Sequence, residues 1–425
     1  MWILYQTALA LTLAMAAPFL LLRRGGHYLE TLGGRLGRHA GAAVKRPLWI
    51  HAVSVGEARV GAAFARGLPA AWPLLVTTVT PTGQQQARAM CGDRAAIAYL
   101  PFDLGFAIRR FLDRFEPRAL VLVEGDYWPL LLRHVRRRGL PVVVVNGRVG
   151  DRSFRRLRRV RLLARALLGR VDHFAVQTAE DRDKLLALGV DPERLSVTGN
   201  LKFDAPQPEP IPAVETLLAA GAGRRPILVA GSTMAGEEEQ VLAAFAAAGG
   251  GRAALLVLAP RHPERWPEVA ELVRRRGLTL ARRSQLDRGG APADVVLLDS
   301  LGELAALYRL GAAAFVGGSL VPSGGHNPLE PAAHGVAVAA GPSMANFRHM
   351  AETFDAAAAW RRVADEAELA EFFREAIAGS GEVAAMGRRG RQLVHDHRGA
   401  AERTRGVIAP LLSAAMSGPP RETTP

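Results

Sequence analysis

Cysteine and acidic residues are scarce in this chain, and each shortage narrows the classes of protein to which it can belong. The 425 residues include a single cysteine, Cys91, so neither an internal disulfide framework nor a cysteine-based zinc site is expected. Asp and Glu number 40 against 54 Lys and Arg, which leaves a formal net charge of +14. This deficit of negative charge predicts a polyanionic partner, such as nucleic acid, an anionic membrane or an acidic lipid.

Charge is also absent from the N-terminal stretch over residues 2–22, WILYQTALALTLAMAAPFLLL, which is followed at once by Arg23 and Arg24. About 20 such residues can span a bilayer as a helix. No basic region precedes the stretch and no small-residue cleavage site follows it, which disfavours a removable signal peptide. The sequence therefore predicts a membrane anchor over residues 1–24, with the rest of the chain in the cytoplasm. The alternative is a helix that lies half-inserted at the membrane surface.

After the anchor, apolar runs of strand length alternate with helical patterns on both sides of a proline-rich segment. The runs predicted as strands are residues 47–53, 74–78, 119–123, 141–145 and 173–177 before that segment, and 226–230, 254–259, 294–298, 313–316 and 336–340 after it. This alternation predicts parallel sheets built of β-α-β units. Residues 204–213, DAPQPEPIPA, contain four prolines and suit a linker. The α/β pattern thus predicts two Rossmann-like domains that face a cleft. The expected division is an anchor over 1–24, an N-terminal domain over 25–203, a linker over 204–213, a C-terminal domain over 214–416 and a flexible tail over 417–425.

Arginine is concentrated between Arg133 and Arg170, where 13 arginines accompany one acidic residue, Asp151. Part of this segment has apolar residues on one helical face, which predicts a basic amphipathic helix. A nucleic-acid surface would need interleaved aromatic residues for base stacking, and Phe154 is the only aromatic residue in the segment. We therefore expect no nucleic acid, and favour anionic lipid headgroups or an acidic lipid substrate. A solvated arginine-rich face without a partner is the alternative.

A glycine-rich stretch, GGSLVPSGGHNPLE, covers the 14 residues from Gly317 to Glu330, between an apolar strand and a helix-prone segment. Strand, glycine turn and helix start together predict an anion or nucleotide site, because free backbone N–H groups and the helix dipole point at the ligand. The alternative is a purely structural turn with a buried, hydrogen-bonded His326.

In the N-terminal domain, three motifs place charged side chains at the carboxyl ends of predicted strands, where open parallel sheets bind ligands. The first motif, SVGE, contains Glu57, which is either a carboxylate stabilised by a helix N-terminus or a catalytic base. The second, VEGDYWP, begins its polar part with Glu124 at the end of a buried strand. The third, TGNLKFD, carries Lys202, which could cover a carboxylate or phosphate, or only extend along the surface.

Three further motifs follow strands of the C-terminal domain. AGSTMAGEEE resembles a phosphate loop but lacks the G-x-x-x-x-G-K pattern. APRHPER supplies Arg261, whose planar guanidinium suits a phosphate. LGELAALY, which includes Gly302, Glu303 and Leu304, could read a base edge or a ribose through its backbone.

Jointly and in this order, SVGE, WP, GNLKFD, GST with GEE, PRHPER, GEL and GGSLVPSGGHNPLE resemble the 3-deoxy-D-manno-octulosonic acid (Kdo) transferases of lipopolysaccharide assembly. The resemblance runs from about residue 47 to residue 347. It implies a GT-B glycosyltransferase fold, CMP-Kdo as donor and a lipid A precursor (lipid IVA) as acceptor. It also implies that the reaction takes place at the cytoplasmic face of the inner membrane, in contact with membrane lipid. The reaction that it implies requires neither a cofactor nor a metal.

The resemblance also assigns roles. Glu57 matches the general base, and Glu124 and Lys202 match positions that assist the transition state. The segments that match the CMP-binding parts of the family are Pro260 and Arg261, then Gly302, Glu303 and Leu304, then Asn327, Pro328, Leu329 and Glu330. The chain departs from the family where Gly125 and Asp126 follow Glu124 in place of the usual Thr-Glu, and where Met234 replaces a histidine.

Two other functions remain open at this point. One is a membrane-associated GT-B transferase that uses a different nucleotide sugar. The other is a non-catalytic module that binds anionic lipid through the basic segment, although a scaffold would not need Glu57, Glu124 and Lys202.

Overall fold

The computed structural model describes residues 2–39, 44–205, 209–288 and 293–418. Their contacts divide the chain into two units. The first unit comprises Met1–Ala205 and Arg398–Pro425, and the second comprises Pro206–His397. Each unit is built on a parallel sheet covered by helices, which confirms the prediction of two α/β domains.

The first unit contains a sheet of seven strands in its described residues, all parallel, in the order β3-β2-β1-β4-β5-β6-β7. The strands are β1 (Leu48–His51), β2 (Leu74–Thr78), β3 (Ala95–Tyr99), β4 (Ala119–Val123), β5 (Val142–Gly147), β6 (His173–Val176) and β7 (Leu195–Val197). The helices are α1 (Trp2–Arg35), α2 (Val55–Arg66), α3 (Pro81–Cys91), α4 (Gly105–Phe115), α5 (Pro129–Arg137), α6 (Asp151–Arg159), α7 (Arg161–Leu168) and α8 (Ala179–Ala187). Strands β1, β2, β4 and β5 are buried along their whole length, because helices cover both faces of a parallel sheet.

The second unit repeats this design in its described residues, with the parallel strand order β10-β11-β9-β8-β12-β13-β14. The strands are β8 (Ile227–Thr233), β9 (Leu255–Pro260), β10 (Leu280–Arg282), β11 (Val295–Leu297), β12 (Gly311–Val316), β13 (Ala337–Ala340) and β14 (Arg361–Arg362). The helices are α9 (Pro212–Ala222), α10 (Glu237–Ala247), α11 (Gly250–Ala253), α12 (Trp266–Arg275), α13 (Leu304–Leu307), α14 (Leu329–Ala333), α15 (Arg348–Ala356), α16 (Glu366–Ile377) and α17 (Gly381–Asp396).

The last helix, α18 (Ala400–Ser417), belongs to the first unit, whereas the sequence placed residues up to 416 in the C-terminal domain. Its Ile408 and Leu412 are buried in the same apolar cluster as β1 and α2. Its N-terminus is capped by Asp204, whose two carboxylate oxygens accept hydrogen bonds from the N–H groups of Gly399 and Ala401, both at 2.6 Å. Asp204 therefore fixes a helix end instead of opening a linker, and residues 206–208 of that linker lie outside the described part.

The N-terminal stretch forms a helix, as expected, but its first turns pack on the first unit. The Tyr5 hydroxyl donates to Asp103 at 2.9 Å, and the Gln6 side-chain oxygen accepts from the Gly105 N–H at 3.1 Å. The side chains of residues 16–28 lie outside the described part. Within the described residues, no helix has the length and hydropathy needed to cross a membrane.

The part of the basic segment that was expected to form one amphipathic helix forms two, because the chain breaks at Val160 between α6 and α7. No side chain of α6 is buried. In α7, Ala164 and Leu168 face the core, whereas Leu162 and Leu163 are 85% and 55% exposed. The segment therefore presents apolar as well as basic side chains to the surroundings.

Candidate active site

Each sheet has a point beside its first strand, the strand reversal, at which the chain moves to the other side of the sheet, and polar motifs lie there. In the first unit the reversal lies between β1 and β4, which are followed by Glu57 and Glu124. In the second unit it lies between β8 and β12, which are followed by the GST loop and by the glycine-rich stretch. Ligands of open α/β sheets bind at such reversals, outside the carboxyl ends of the strands.

Glu57 is the third residue of α2, and its N–H donates to the side chain of the N-cap residue Ser54. One carboxylate oxygen accepts from the Val53 N–H at 2.8 Å, and the other accepts from the Ser54 hydroxyl at 2.9 Å. The structural role that the sequence allowed for Glu57 is therefore present. The same contacts fix the orientation of the carboxyl group, as catalysis would also require.

The pKa of Glu57 is unusual for a glutamate that only caps a helix. The pKa of Glu57 is raised to about 7, chiefly by burial; the nearby carboxylates of Glu124 and Asp126 also raise it, while the hydrogen bonds from Val53 and Ser54 lower it. Burial and Glu124 also raise the pKa of Asp126. A carboxyl group whose pKa lies near neutral pH is suited to accept a proton in a reaction.

Glu124 lies between two cations. Its side chain is 12% exposed, one oxygen is 2.8 Å from Nζ of Lys202, and the other is 3.0 Å from Nε of Arg148. Its backbone is left-handed, with φ of 65°, which is uncommon for a residue other than glycine and is concentrated at functional sites. The structure thus brings Glu124 and Lys202 into contact. It adds Arg148 to the pair, a contact that the sequence did not predict because Arg148 follows the neighbouring strand β5.

In the second unit, the backbone N–H groups in the first half of the glycine-rich stretch donate to a side chain of the protein. The fully buried Glu237 accepts from the N–H groups of Gly318, Ser319 and Leu320 at 2.6 to 2.8 Å, and from that of Met234 at 2.9 Å. The expectation that this loop offers free N–H groups to a ligand is therefore wrong for these residues. Glu237 takes the place of the anion.

The second half of the stretch is also held internally. The N–H of Gly324 donates to the Ser343 hydroxyl at 3.0 Å, and that of Gly325 donates to the Gly318 carbonyl at 2.7 Å. Burial lowers the pKa of His326 to about 4, helped by Arg261 and His262, and no partner for its Nε2 is found among the described residues. The side chain of His326 is only partly buried, and within the described residues its Nε2 lacks the hydrogen bond that the structural alternative expected.

Arg261 follows β9, whose last residue is the buried Pro260, and its side chain is exposed. In the described part of the chain, no ion pair or hydrogen bond engages the Arg261 guanidinium. Arg265, from the same motif, is instead bound to the fully buried Glu238 at 2.6 Å. Arg261 is therefore the arginine of this motif that remains available for an anion.

Glu303 ends the segment before α13 and is held by Arg283. Two hydrogen bonds of 3.0 Å join the guanidinium to both carboxylate oxygens, and the Ser300 hydroxyl also donates to Glu303. The adjacent Gly302 has φ of 91°, a backbone angle that suits glycine, and Leu304 begins α13. Sequence reasoning missed Arg283, which lies on a neighbouring part of the sheet.

Asn327 and Glu330 face each other across the start of α14. The Asn327 amide donates to Glu330 at 3.3 Å, and its oxygen accepts from the Leu329 N–H at 3.2 Å. Pro328 is the N-cap residue, and both Pro328 and Leu329 are buried. The two polar side chains thus lie together beside the start of α14, while Pro328 and Leu329 shape the turn. Among the described residues, no group of three or more His, Cys, Asp or Glu is arranged to hold a metal ion.

Comparison with known proteins supplies independent information. A family model described as 3-deoxy-D-manno-octulosonic-acid transferase (kdotransferase) matches residues 30–205. The 3-deoxy-D-manno-octulosonic acid transferase of Haemophilus influenzae is 33% identical over 423 residues, 97% of this chain and 99% of that protein. The protein of the same name from Bordetella pertussis is 36% identical over 403 residues, 90% of this chain and 92% of that protein.

Among solved structures, a glycosyltransferase from Rickettsia africae is similar with a TM-score of 0.56 and 13% identity, covering 88% of this chain and 100% of that one. At this identity the likeness shows the fold alone. It agrees with the expected GT-B-like glycosyltransferase fold.

Proposed function

Since the chain belongs to the 3-deoxy-D-manno-octulosonic acid transferase family, we propose that it transfers Kdo from CMP-Kdo to a lipid A precursor, with Glu57 as general base. The observation that carries the choice of base is the pKa of about 7 of a partly buried carboxyl group that two hydrogen bonds orient at the strand reversal. Half of the Glu57 side chains would then be ionised at neutral pH, ready to accept a proton.

The proposed reaction is a direct displacement with inversion. Glu57 removes the proton from a sugar hydroxyl of the lipid, and the hydroxyl oxygen forms a bond to the anomeric carbon of Kdo. The bond from that carbon to the phosphate oxygen of CMP breaks, and CMP leaves with the bonding electron pair. The proton ends on Glu57 and passes to solvent.

Lys202 and Glu124 are proposed to assist the transition state. The anomeric carbon of Kdo carries a carboxylate, so negative charge surrounds the reacting centre on both the sugar and the departing phosphate. A lysine ammonium that is held 2.8 Å from Glu124 has a fixed position from which to stabilise such charge. Arg148, half exposed beside Glu124, adds a second cation.

The second unit is proposed to bind the nucleotide. Arg261, exposed at the end of β9, is suited to the phosphate of CMP. Asn327 and Glu330 have the polar groups needed for the ribose and base, while the backbone of Gly302, Glu303 and Leu304 offers further contacts on the same sheet edge. Pro260, Pro328 and Leu329 would shape this site.

We place the reaction at the cytoplasmic face of the inner membrane. Two observations support this location. No side chain of the arginine-rich helix α6 is buried, and Leu162 and Leu163 of α7 are exposed. Basic and apolar side chains on one surface favour contact with anionic headgroups and the acyl boundary. This contact does not require a spanning helix.

The test is incubation with CMP-Kdo, generated in place, and a tetraacylated lipid A precursor, followed by mass spectrometry of the lipid. We expect an increment of one or more Kdo residues and release of CMP, and an unchanged lipid mass would contradict the proposal. Thermal protection of the protein by CMP, with UDP as the matched control, tests the donor separately. Protection by UDP alone would indicate a different nucleotide sugar.

A further inference from the structure

Asn146 is the penultimate residue of the long strand β5, and both ends of its side-chain amide make hydrogen bonds within the first unit. It is fully buried, and its backbone is left-handed with φ of 55°. Its amide nitrogen donates to Oε1 of Glu124 at 3.4 Å, and its amide oxygen accepts from the N–H of Leu201 at 2.9 Å. Its backbone carbonyl accepts from the buried Gln177 side chain at 3.0 Å.

These contacts join two segments that are far apart in the sequence. Leu201 directly precedes Lys202, and Nζ of Lys202 is 2.8 Å from the same Oε1 of Glu124 that faces Asn146. The turn is held again by Asn200, whose side chain accepts from the Lys202 N–H at 3.0 Å. Asn146 thus contacts the carboxylate through one end of its amide and the lysine-bearing turn through the other.

We propose that Asn146 is the positioning residue of the Glu124–Lys202 pair, which sets the distance between the two groups without touching substrate. The proposal rests on the roles given to Glu124 and Lys202 under the proposed function. Asparagine suits the position for two reasons. Its short polar side chain tolerates the left-handed backbone, and its amide presents a donor and an acceptor on opposite sides.

The aspartate and glycine variants distinguish positioning from simple packing. Both residues tolerate a left-handed backbone. In Asn146→Asp, the ionised carboxylate can accept from Leu201 but opposes Glu124, whereas the protonated form can again donate to Glu124. Asn146→Gly removes both contacts. The charged groups around the new carboxyl are Glu124, Lys202 and Arg148, with Glu57 and Asp126 acting on Glu124.

We expect kcat at pH 8 to fall by about tenfold or more in both variants, with KM for CMP-Kdo within about twofold of wild type, because misplacement of a catalytic group mainly affects turnover. As the pH is lowered to 6, the ratio of kcat to that of wild type should rise several-fold for Asn146→Asp and stay constant for Asn146→Gly. Thr404→Val, which breaks the buried 2.8 Å hydrogen bond to Thr198, is the matched control for lost stability and should keep wild-type kcat.

Wild-type kcat in Asn146→Gly, or the same pH response in both variants, would overturn the proposal. If Asn146→Asp does not fold, the kcat of Asn146→Gly at pH 8 decides alone. Glu124→Gln is measured beside them. If Glu124→Gln is impaired while the Asn146 variants are not, only the positioning role fails; if Glu124→Gln keeps wild-type kcat, the role assigned to Glu124 fails instead.

Discussion

Replacing Glu57 by glutamine should lower turnover and raise stability at the same time, because the ionised, partly buried carboxylate supports catalysis but destabilises the fold. Its pKa rises from 4.5 to about 7 on folding, chiefly through burial. A difference of this size corresponds to roughly 3 kcal/mol of free energy between the two protonation states. Glutamine can accept the Val53 hydrogen bond and is uncharged at every pH.

The direction of the pH effect follows from the proton balance. Because the folded state binds the Glu57 proton more tightly than the unfolded chain, the stabilisation is fully present below pH 4.5 and is lost as the pH rises to about 7. Wild type should therefore lose about 2 to 3 kcal/mol between pH 5 and pH 8 from this group, and Glu57→Gln should not. At pH 8 the variant should melt several degrees above wild type.

Turnover should change the other way. In wild type, the ionised fraction of Glu57 is about a half at pH 7 and about a tenth at pH 6, so kcat should fall along this curve. Glu57→Gln should transfer Kdo at least about 100-fold more slowly at pH 8, the usual scale for a lost general base, with unchanged thermal protection by CMP. The assays are Kdo transfer measured by mass spectrometry and thermal melting.

A matched control is Glu366→Gln, which changes an exposed glutamate in the first turn of α16 and should alter neither property. Near wild-type transfer by Glu57→Gln would remove Glu57 from the role of base. A melting difference between Glu57→Gln and wild type that is the same at pH 5 and pH 8 would refute the reasoning about burial.

Three further substitutions test the second unit. Glu237→Gln should destabilise it by about 2 to 4 kcal/mol, and thermal melting would detect the loss. The NH2 group of glutamine cannot accept the backbone N–H hydrogen bonds that the carboxylate oxygen it replaces accepts. Arg261→Ala should leave the melting temperature within about a degree while raising the CMP concentration for half-maximal protection by about tenfold or more; unchanged protection would remove Arg261 from the phosphate site. Gly231→Ala should cost several kcal/mol, since the added methyl group would collide with the buried Tyr308 hydroxyl, and a wild-type melting curve would contradict that packing.

The sequence predicts the long strands of both sheets, because their continuous apolar runs carry a strong signal. It misses β3, whose five residues include three alanines with weak strand preference, and it misses β7, β10 and β14, which have three residues or fewer. Segments this short are strands only because a neighbouring strand supplies their hydrogen bonds. No local pattern marks them.

At the site, the sequence identifies residues within the motifs and misses their charged partners, which follow neighbouring strands. Glu57, Glu124 and Lys202 are found from motif position. Arg148 and Arg283 contact Glu124 and Glu303 only through the order and register of the strands. Glu237 is one of three consecutive glutamates, and only the helix phase decides which of them turns inward to the glycine-rich stretch.

The return of α18 to the first unit has a consequence for synthesis on the ribosome. The first unit cannot complete its core at residue 205, because Ile408 and Leu412 supply part of one apolar cluster and Asp204 has no helix end to cap until residue 401 exists. The whole second unit, Pro206–His397, is contiguous and is made in between. At about 5 to 20 residues per second, the nascent first unit waits roughly 10 to 40 s with an unfinished core. The second unit can therefore finish folding before the first unit, whereas the N-terminal domain usually folds first during synthesis.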